Sequence, residues 1–127
     1  MIIYKFGGAS VKSADAVRNL ANIVKSSSDH LIVVVSAMGK TTNALEEVVY
    51  LYFNRRDGLK DALDRVRDYH DEIMRDLCQG PEENMYVKVG QLFAELENRL
   101  QLEPSLNYDF DYDQVICFGE LISTIVY

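Results

Sequence analysis

Two short apolar runs constrain this chain more than any other feature: Ile2-Ile3-Tyr4-Lys5-Phe6 and Leu31-Ile32-Val33-Val34-Val35. Both are rich in β-branched side chains, and the second is nearly continuous, the pattern of a strand covered on both faces. Between them Val17, Leu20, Ala21 and Val24 recur at helical spacing after Ser13, a residue suited to an N-cap. Strand, helix and strand in that order imply parallel strands joined by a right-handed crossover. The fold class expected is α/β.

Each run leads into a glycine-containing loop, Gly7-Gly8-Ala9-Ser10-Val11 after the first and Ser36-Ala37-Met38-Gly39-Lys40-Thr41-Thr42 after the second. In a parallel sheet both loops emerge at the carboxyl edge, where ligands of such sheets bind. Glycines there let backbone N–H groups approach an anion, and a helix starting just beyond adds the positive end of its dipole. Lys5 adds a compact positive charge at the same edge. Phosphoryl transfer requires these features, because its catalysis rests on positioning and on neutralising spreading negative charge. Taken alone, either loop is equally well accounted for as a strand-to-helix turn. Gly39-Lys40-Thr41 does not end a P-loop, since GxxxxGK[ST] needs Gly where the chain has Val34, and no GxGxxG follows the first run.

Leu45, Val48, Val49 and Tyr52 predict a helix starting near Thr42 or Asn43, with Asn43 and Glu46 at capping-box spacing. Further on, Leu63, Val66, His70, Ile73 and Leu77 form one helical stripe and Met85, Val89, Leu92, Leu96 and Leu100 another. Gly80-Pro81 separates them, so the region reads as a helical hairpin. The pairs Asp61 with Arg65 and Asp71 with Arg75 lie four apart and mark its solvated face. Residues 103–110 read as a loop, after which Asp111 and Gln114 offer a cap for a last helix carrying Val115, Phe118, Ile122 and Ile125 inward. His70 falls on an apolar stripe and His30 has no Cys or carboxylate at ligand spacing, so neither is assigned a role. The alternation from Tyr108 to Asp113 is explained by a turn and a cap without a cation.

At 127 residues and 48% hydrophobic, the chain has the size and composition of one packed domain. Its 20 acidic and 13 basic residues give a net charge of −7, with no basic run longer than Arg55-Arg56, which argues against a nucleic-acid partner. No apolar run approaches the roughly 18 residues of a membrane helix, so no membrane partner is expected. The chain enters a strand pattern at once, without the features of a secretory signal, and a cytoplasmic protein is expected. Cys78 and Cys117 lack CxxC spacing and read as reduced thiols, with no metal site.

Three segments, in order, resemble the motifs of aspartate kinases in the amino-acid kinase family. They are Ile3-Tyr4-Lys5-Phe6-Gly7-Gly8-Ala9-Ser10-Val11, Val35-Ser36-Ala37-Met38-Gly39-Lys40-Thr41-Thr42-Asn43 and Phe118-Gly119-Glu120-Leu121-Ile122-Ser123-Thr124. The last looks like the family's Gly-Glu-x-x-Ser helix, and the charged middle looks like its variable helical segment. Ala9 stands where the family usually has Thr or Ser, which removes a hydroxyl but leaves the glycine geometry in place. The resemblance implies a parallel-sheet, three-layer amino-acid-kinase-like fold, incomplete here, with a helical segment over about 44–102.

The same resemblance implies transfer of phosphoryl from ATP to L-aspartate with Mg²⁺, giving ADP and 4-phospho-L-aspartate, the first step of lysine, threonine and methionine biosynthesis. Lys5 would be catalytic, and Lys5, Phe6, Gly7, Gly8, Ser36 and Gly39 would bind the ATP phosphates. Thr42 and Glu120 would hold the aspartate, and a carboxylate is a natural partner for its ammonium group. Without the family, Glu120 reads as a surface carboxylate, Gly119 serves either ligand approach or helix packing, and Lys40 is either solvated or near phosphate. Similar enzymes continue into a nucleotide-binding segment and regulatory ACT domains. The chain is therefore expected to be an N-terminal part of the catalytic domain, inactive alone, from a homo-oligomeric parent. Two alternatives are another amino-acid-kinase-fold enzyme and a non-catalytic helical interaction module.

Overall fold

The computed structural model describes residues 1–78 and 83–127. Strand β1 (Ile2–Phe6) leads through a 3-10 turn at Gly8–Val11 into α1 (Ala14–Lys25) and then β2 (Leu31–Val35). Four helices follow: α2 (Thr41–Phe53), α3 (Leu59–Leu77), α4 (Glu83–Gln101) and α5 (Tyr108–Val126). The two strands pair in parallel, from Ile2 opposite Leu31 to Phe6 opposite Val35, so the expected strand–helix–strand unit is present. Ser13 caps α1 by accepting the Ala16 N–H at 3.2 Å, and Ala14, Val17 and Leu20 are buried. Asp15 in the first turn and Lys25 in the last suit the helix dipole.

Helices α2 to α5 enclose the core. α2 packs on both α3 and α5, and α5 packs on α4. α4 returns to α3 through the His70 and Phe93 rings, 6.0 Å apart, and through Arg67 with Glu97 at 2.5 Å. Leu45, Val48 and Val49 of α2, Val89 and Leu96 of α4, and Val115 and Ile122 of α5 are fully buried. His70 is fully buried as well; its Nδ1 lies 2.7 Å from the Val66 carbonyl, which can only accept, so Nδ1 carries the proton and Nε2 is left unpartnered. Burial pushes its ionisation below the usual histidine value. It is a neutral packing residue.

The structure corrects four sequence expectations. First, the strands are not covered on both faces: Ile32, Val33 and Val34 are 44%, 38% and 43% exposed, because the sheet has two strands among the described residues and the helices pack largely on one another. Second, α2 starts at Thr41, whose hydroxyl donates to the Met38 carbonyl at 2.6 Å, and Lys40 occupies the N-cap without a side-chain bond. Asn43 is therefore already inside the first turn and does not cap. Third, Asn107 caps α5, accepting the Phe110 N–H at 3.3 Å. Asp111 is buried within that helix, accepting the Ser105 N–H at 2.8 Å and facing Arg99 at 3.4 Å, so it is committed elsewhere. Fourth, neither Asp61 with Arg65 nor Asp71 with Arg75 pairs among the described residues; Arg65 instead reaches Glu47 across to α2 at 2.9 Å. Gly80-Pro81, expected to separate the two helical stripes, lies outside the described residues.

Candidate active site

The two glycine loops meet at the carboxyl edge of the sheet. The Ser36 N–H donates to the Phe6 carbonyl at 3.0 Å, carrying the parallel pairing one step past the strands. The Gly39 N–H then donates to the Gly8 carbonyl at 3.0 Å, joining loop to loop. This approach is why Gly8 is glycine: a Cβ there would lie 2.7 Å from the Gly39 carbonyl oxygen and 3.1 Å from that of Ala37. Gly39 has φ +57°, left-handed backbone that side chains disfavour. The Tyr69 hydroxyl fills the space beside it and donates to the Lys12 carbonyl at 2.7 Å.

Gly7 is different. Its φ of −78° is open to any residue, and nothing lies within 4 Å of where a Cβ would sit. The fold does not require glycine here, which leaves an unobstructed stretch of backbone at the end of β1.

The third motif docks on the second loop. The Ser123 hydroxyl of α5 donates to the Ser36 carbonyl at 2.7 Å. A Cβ on Gly119 would come within 2.9 Å of the Ala37 Cβ and 3.5 Å of Thr41 Cγ2, so close helix packing accounts for this glycine. Glu120, the next residue, is exposed and joins no ion pair among the described residues.

Of the expected site residues, Phe6, Gly8, Ser36 and Gly39 are connected by backbone bonds, with Gly7 adjoining Gly8. Lys5 is exposed one residue before the end of β1, on the face opposite Tyr4 and Phe6, whose rings stand edge to face at 6.2 Å. Phe6 lines a small cleft with Ala9 and Ser10 of the first loop and Ala16, Leu20 and Ile23 of α1, and its backbone carbonyl accepts the Ser36 N–H. Thr42 is half-buried in the first turn of α2. The side chains of Lys5, Thr42 and Glu120 make no hydrogen bonds to one another or to the loops among the described residues. No three His, Cys, Asp or Glu side chains gather there either.

Sequence reading assigned no role to Ser123 or Tyr69. Gly119 and Ser123, four apart on one helix face, carry the small-residue signal of close packing that pointed to the first. Nothing local marks Tyr69, whose partners are 57 residues away in the case of Lys12 and on another loop in the case of Gly39.

A parallel pair with two joined carboxyl-edge loops defines an α/β protein whose ligands sit at that edge. The match to known proteins is more specific: residues 1–126 match the amino acid kinase family, and the chain belongs to it. The expected fold, an incomplete amino-acid-kinase α/β fold, is the one observed. The chain is 42% identical over 69 residues to the chloroplastic bifunctional aspartokinase/homoserine dehydrogenase of Daucus carota, covering 54% of this chain and 8% of that protein. It is 30% identical over 127 residues to the chloroplastic aspartokinase 2 of Arabidopsis thaliana, covering 96% of this chain and 23% of the relative. Its fold is similar to that of E. coli aspartokinase III in complex with lysine and aspartate, with TM-score 0.84, 26% identity, and coverage of 99% of this chain and 27% of that one. The chain thus spans a quarter or less of the plant relatives' length. No helix among the described residues is long and apolar enough to cross a membrane.

Proposed function

We propose that this chain is the N-terminal part of the catalytic domain of an aspartate kinase, which transfers the γ-phosphoryl group of ATP to the side-chain carboxylate of L-aspartate. The observation that carries this reading is the meeting of all three motifs at one sheet edge, through Gly39 N–H to the Gly8 carbonyl and the Ser123 hydroxyl to the Ser36 carbonyl.

The acceptor carboxylate is ionised at neutral pH and is itself the nucleophile, so no general base is needed. Its oxygen forms the new bond to the γ-phosphorus as the bond to the β–γ bridging oxygen breaks, giving ADP and 4-phospho-L-aspartate. What remains for the protein is positioning and charge neutralisation. We assign the charge to Lys5, the phosphate-facing backbone donors to Gly7 and Gly8, the lining of the phosphate region to Ser36 and Gly39, whose own N–H groups are held by the Phe6 and Gly8 carbonyls, and the aspartate contacts to Thr42 and Glu120, with Glu120 taking the ammonium group. Mg²⁺ would supply further charge neutralisation when bound.

Because aspartokinase III is several times longer, we assign turnover to the longer protein and none to these residues alone. In that natural full-length protein, Lys5→Ala lowers turnover by about 10² to 10³, as for other preorganised charge stabilisers; near-normal turnover rejects the role. Glu120→Ala weakens aspartate affinity, and an unchanged KM for aspartate sinks that assignment. Phosphorylation of a panel of carboxylates separates aspartate from other acceptors. We further propose a cytoplasmic homo-oligomer, which fractionation and sedimentation test; a plastid location would align it with its plant relatives.

A further inference from the structure

A cleft of about 500 Å³ opens beside the second loop, walled by Lys12, Lys40, Ala44, Arg65, Val66 and Tyr69. It shares Gly39 with the residues assigned to phosphoryl transfer, and the rest of its lining lies outside that set. Its charge runs against that of the whole molecule. The chain has 20 acidic and 13 basic residues, yet the lining holds three cations and no carboxylate. Lys12 and Lys40 are exposed and join no ion pair among the described residues, while Arg65 is held by Glu47 at 2.9 Å. A surplus of two positive charges therefore faces the cleft, a match for a dianion. Arg65 offers planar, directional donors and the lysines compact charges, the combination that binds phosphate.

The remaining wall is mainly apolar: buried Val66, half-buried Ala44 and the Tyr69 ring, fixed by its hydroxyl on the Lys12 carbonyl at 2.7 Å, with Thr41 beside them, its hydroxyl held by the Met38 carbonyl at 2.6 Å. Inorganic phosphate would leave that wall bare. A volume of about 500 Å³ suits a small organic ligand. We propose that this cleft is a second ligand site for a phosphomonoester with a small apolar body, its head among Lys12, Lys40 and Arg65 and its body against Ala44, Val66 and Tyr69.

Calorimetric titration of the natural full-length protein with phenyl phosphate, with inorganic phosphate and phenol as comparison arms, tests this. Phenyl phosphate should bind saturably, and about tenfold or more tighter than either comparison compound. The Lys12→Ala, Arg65→Ala double variant should lose about tenfold in affinity, while Lys5→Ala changes it less than about twofold. Ala44→Leu narrows the cleft without removing charge and should weaken binding as much, with thermal melts confirming that each variant is folded. Absence of saturation, equal affinity for inorganic phosphate, or binding lost in Lys5→Ala but kept in the folded cleft variants would overturn the proposal. Binding is read without turnover, so its failure is distinguishable from failure of the kinase reading.

Discussion

The Ser123 hydroxyl donates to the Ser36 carbonyl at 2.7 Å, linking residues 87 apart in sequence and fixing the last helix to the end of β2. Ser123 is fully buried, so water cannot replace the bond. Ser123→Ala should cost about 1 to 3 kcal/mol, the range for leaving a buried partner unsatisfied, read as a lower urea midpoint with an unchanged slope. An unchanged midpoint would show that the bond contributes nothing net.

Gly7 and Gly8 should respond oppositely to the same substitution. Gly7→Ala meets open space at an ordinary φ and should leave stability within about 0.5 kcal/mol. Gly8→Ala forces the loops apart against two carbonyl oxygens and should cost about 1 to 3 kcal/mol. Denaturation of the two variants side by side checks this. If Gly7→Ala is stable yet loses nucleotide affinity in the full-length protein, Gly7 faces ligand and is more than a turn residue.

At Gly119 two effects compete. Alanine gains about 1 kcal/mol of helix propensity over glycine. Its methyl would also meet the Ala37 Cβ at 2.9 Å, with Leu45 and Thr41 close behind, and such overpacking costs about 1 to 3 kcal/mol. The net expectation is a less stable protein and, in the full-length enzyme, reduced turnover through a displaced second loop. A rise in melting temperature would mean that α5 shifts freely.

His70 makes folding pH-dependent. Desolvation is the main cause holding its ionisation low, opposed by the Val66 carbonyl and Asp71. The unfolded chain takes up the proton near the ordinary value of about 6.5, while the folded chain keeps the ring neutral to lower pH. The stability gained from a neutral His70 is complete above that value and declines as pH falls below it toward the folded value. Urea midpoints measured from about pH 7.5 to 5 should fall more steeply for the wild type than for His70→Gln. Parallel curves would refute the assignment.

The parts of this molecule readable from sequence are those decided locally. Ser13 caps α1 because its hydroxyl needs only the Ala16 N–H three residues on, and the β-branched runs form β1 and β2. The start of α5 is ambiguous in the sequence because Asp111 with Gln114 has the spacing of a cap, as does Asn107 with Phe110. What separates them is Arg99, twelve positions back, and Ser105, both of which draw Asp111 inward. Helical spacing pairs Arg65 with Asp61, but Glu47 on a neighbouring helix takes it at 2.9 Å. The glycine loops were visible as loops; that Gly8 and Gly39 are required by their contact with each other while Gly7 is not depends on a distance no spacing encodes.

Among the described residues the sheet has two strands, so within these residues β1 and β2 are each an edge, and the uncharged, proline-free run Leu31–Val35 presents half-exposed apolar side chains along one of them. An open backbone edge of this composition is a template for another copy of itself. At high concentration the isolated chain will tend toward self-templated β-aggregation, and any partner or segment that covers β2 acts as its chaperone.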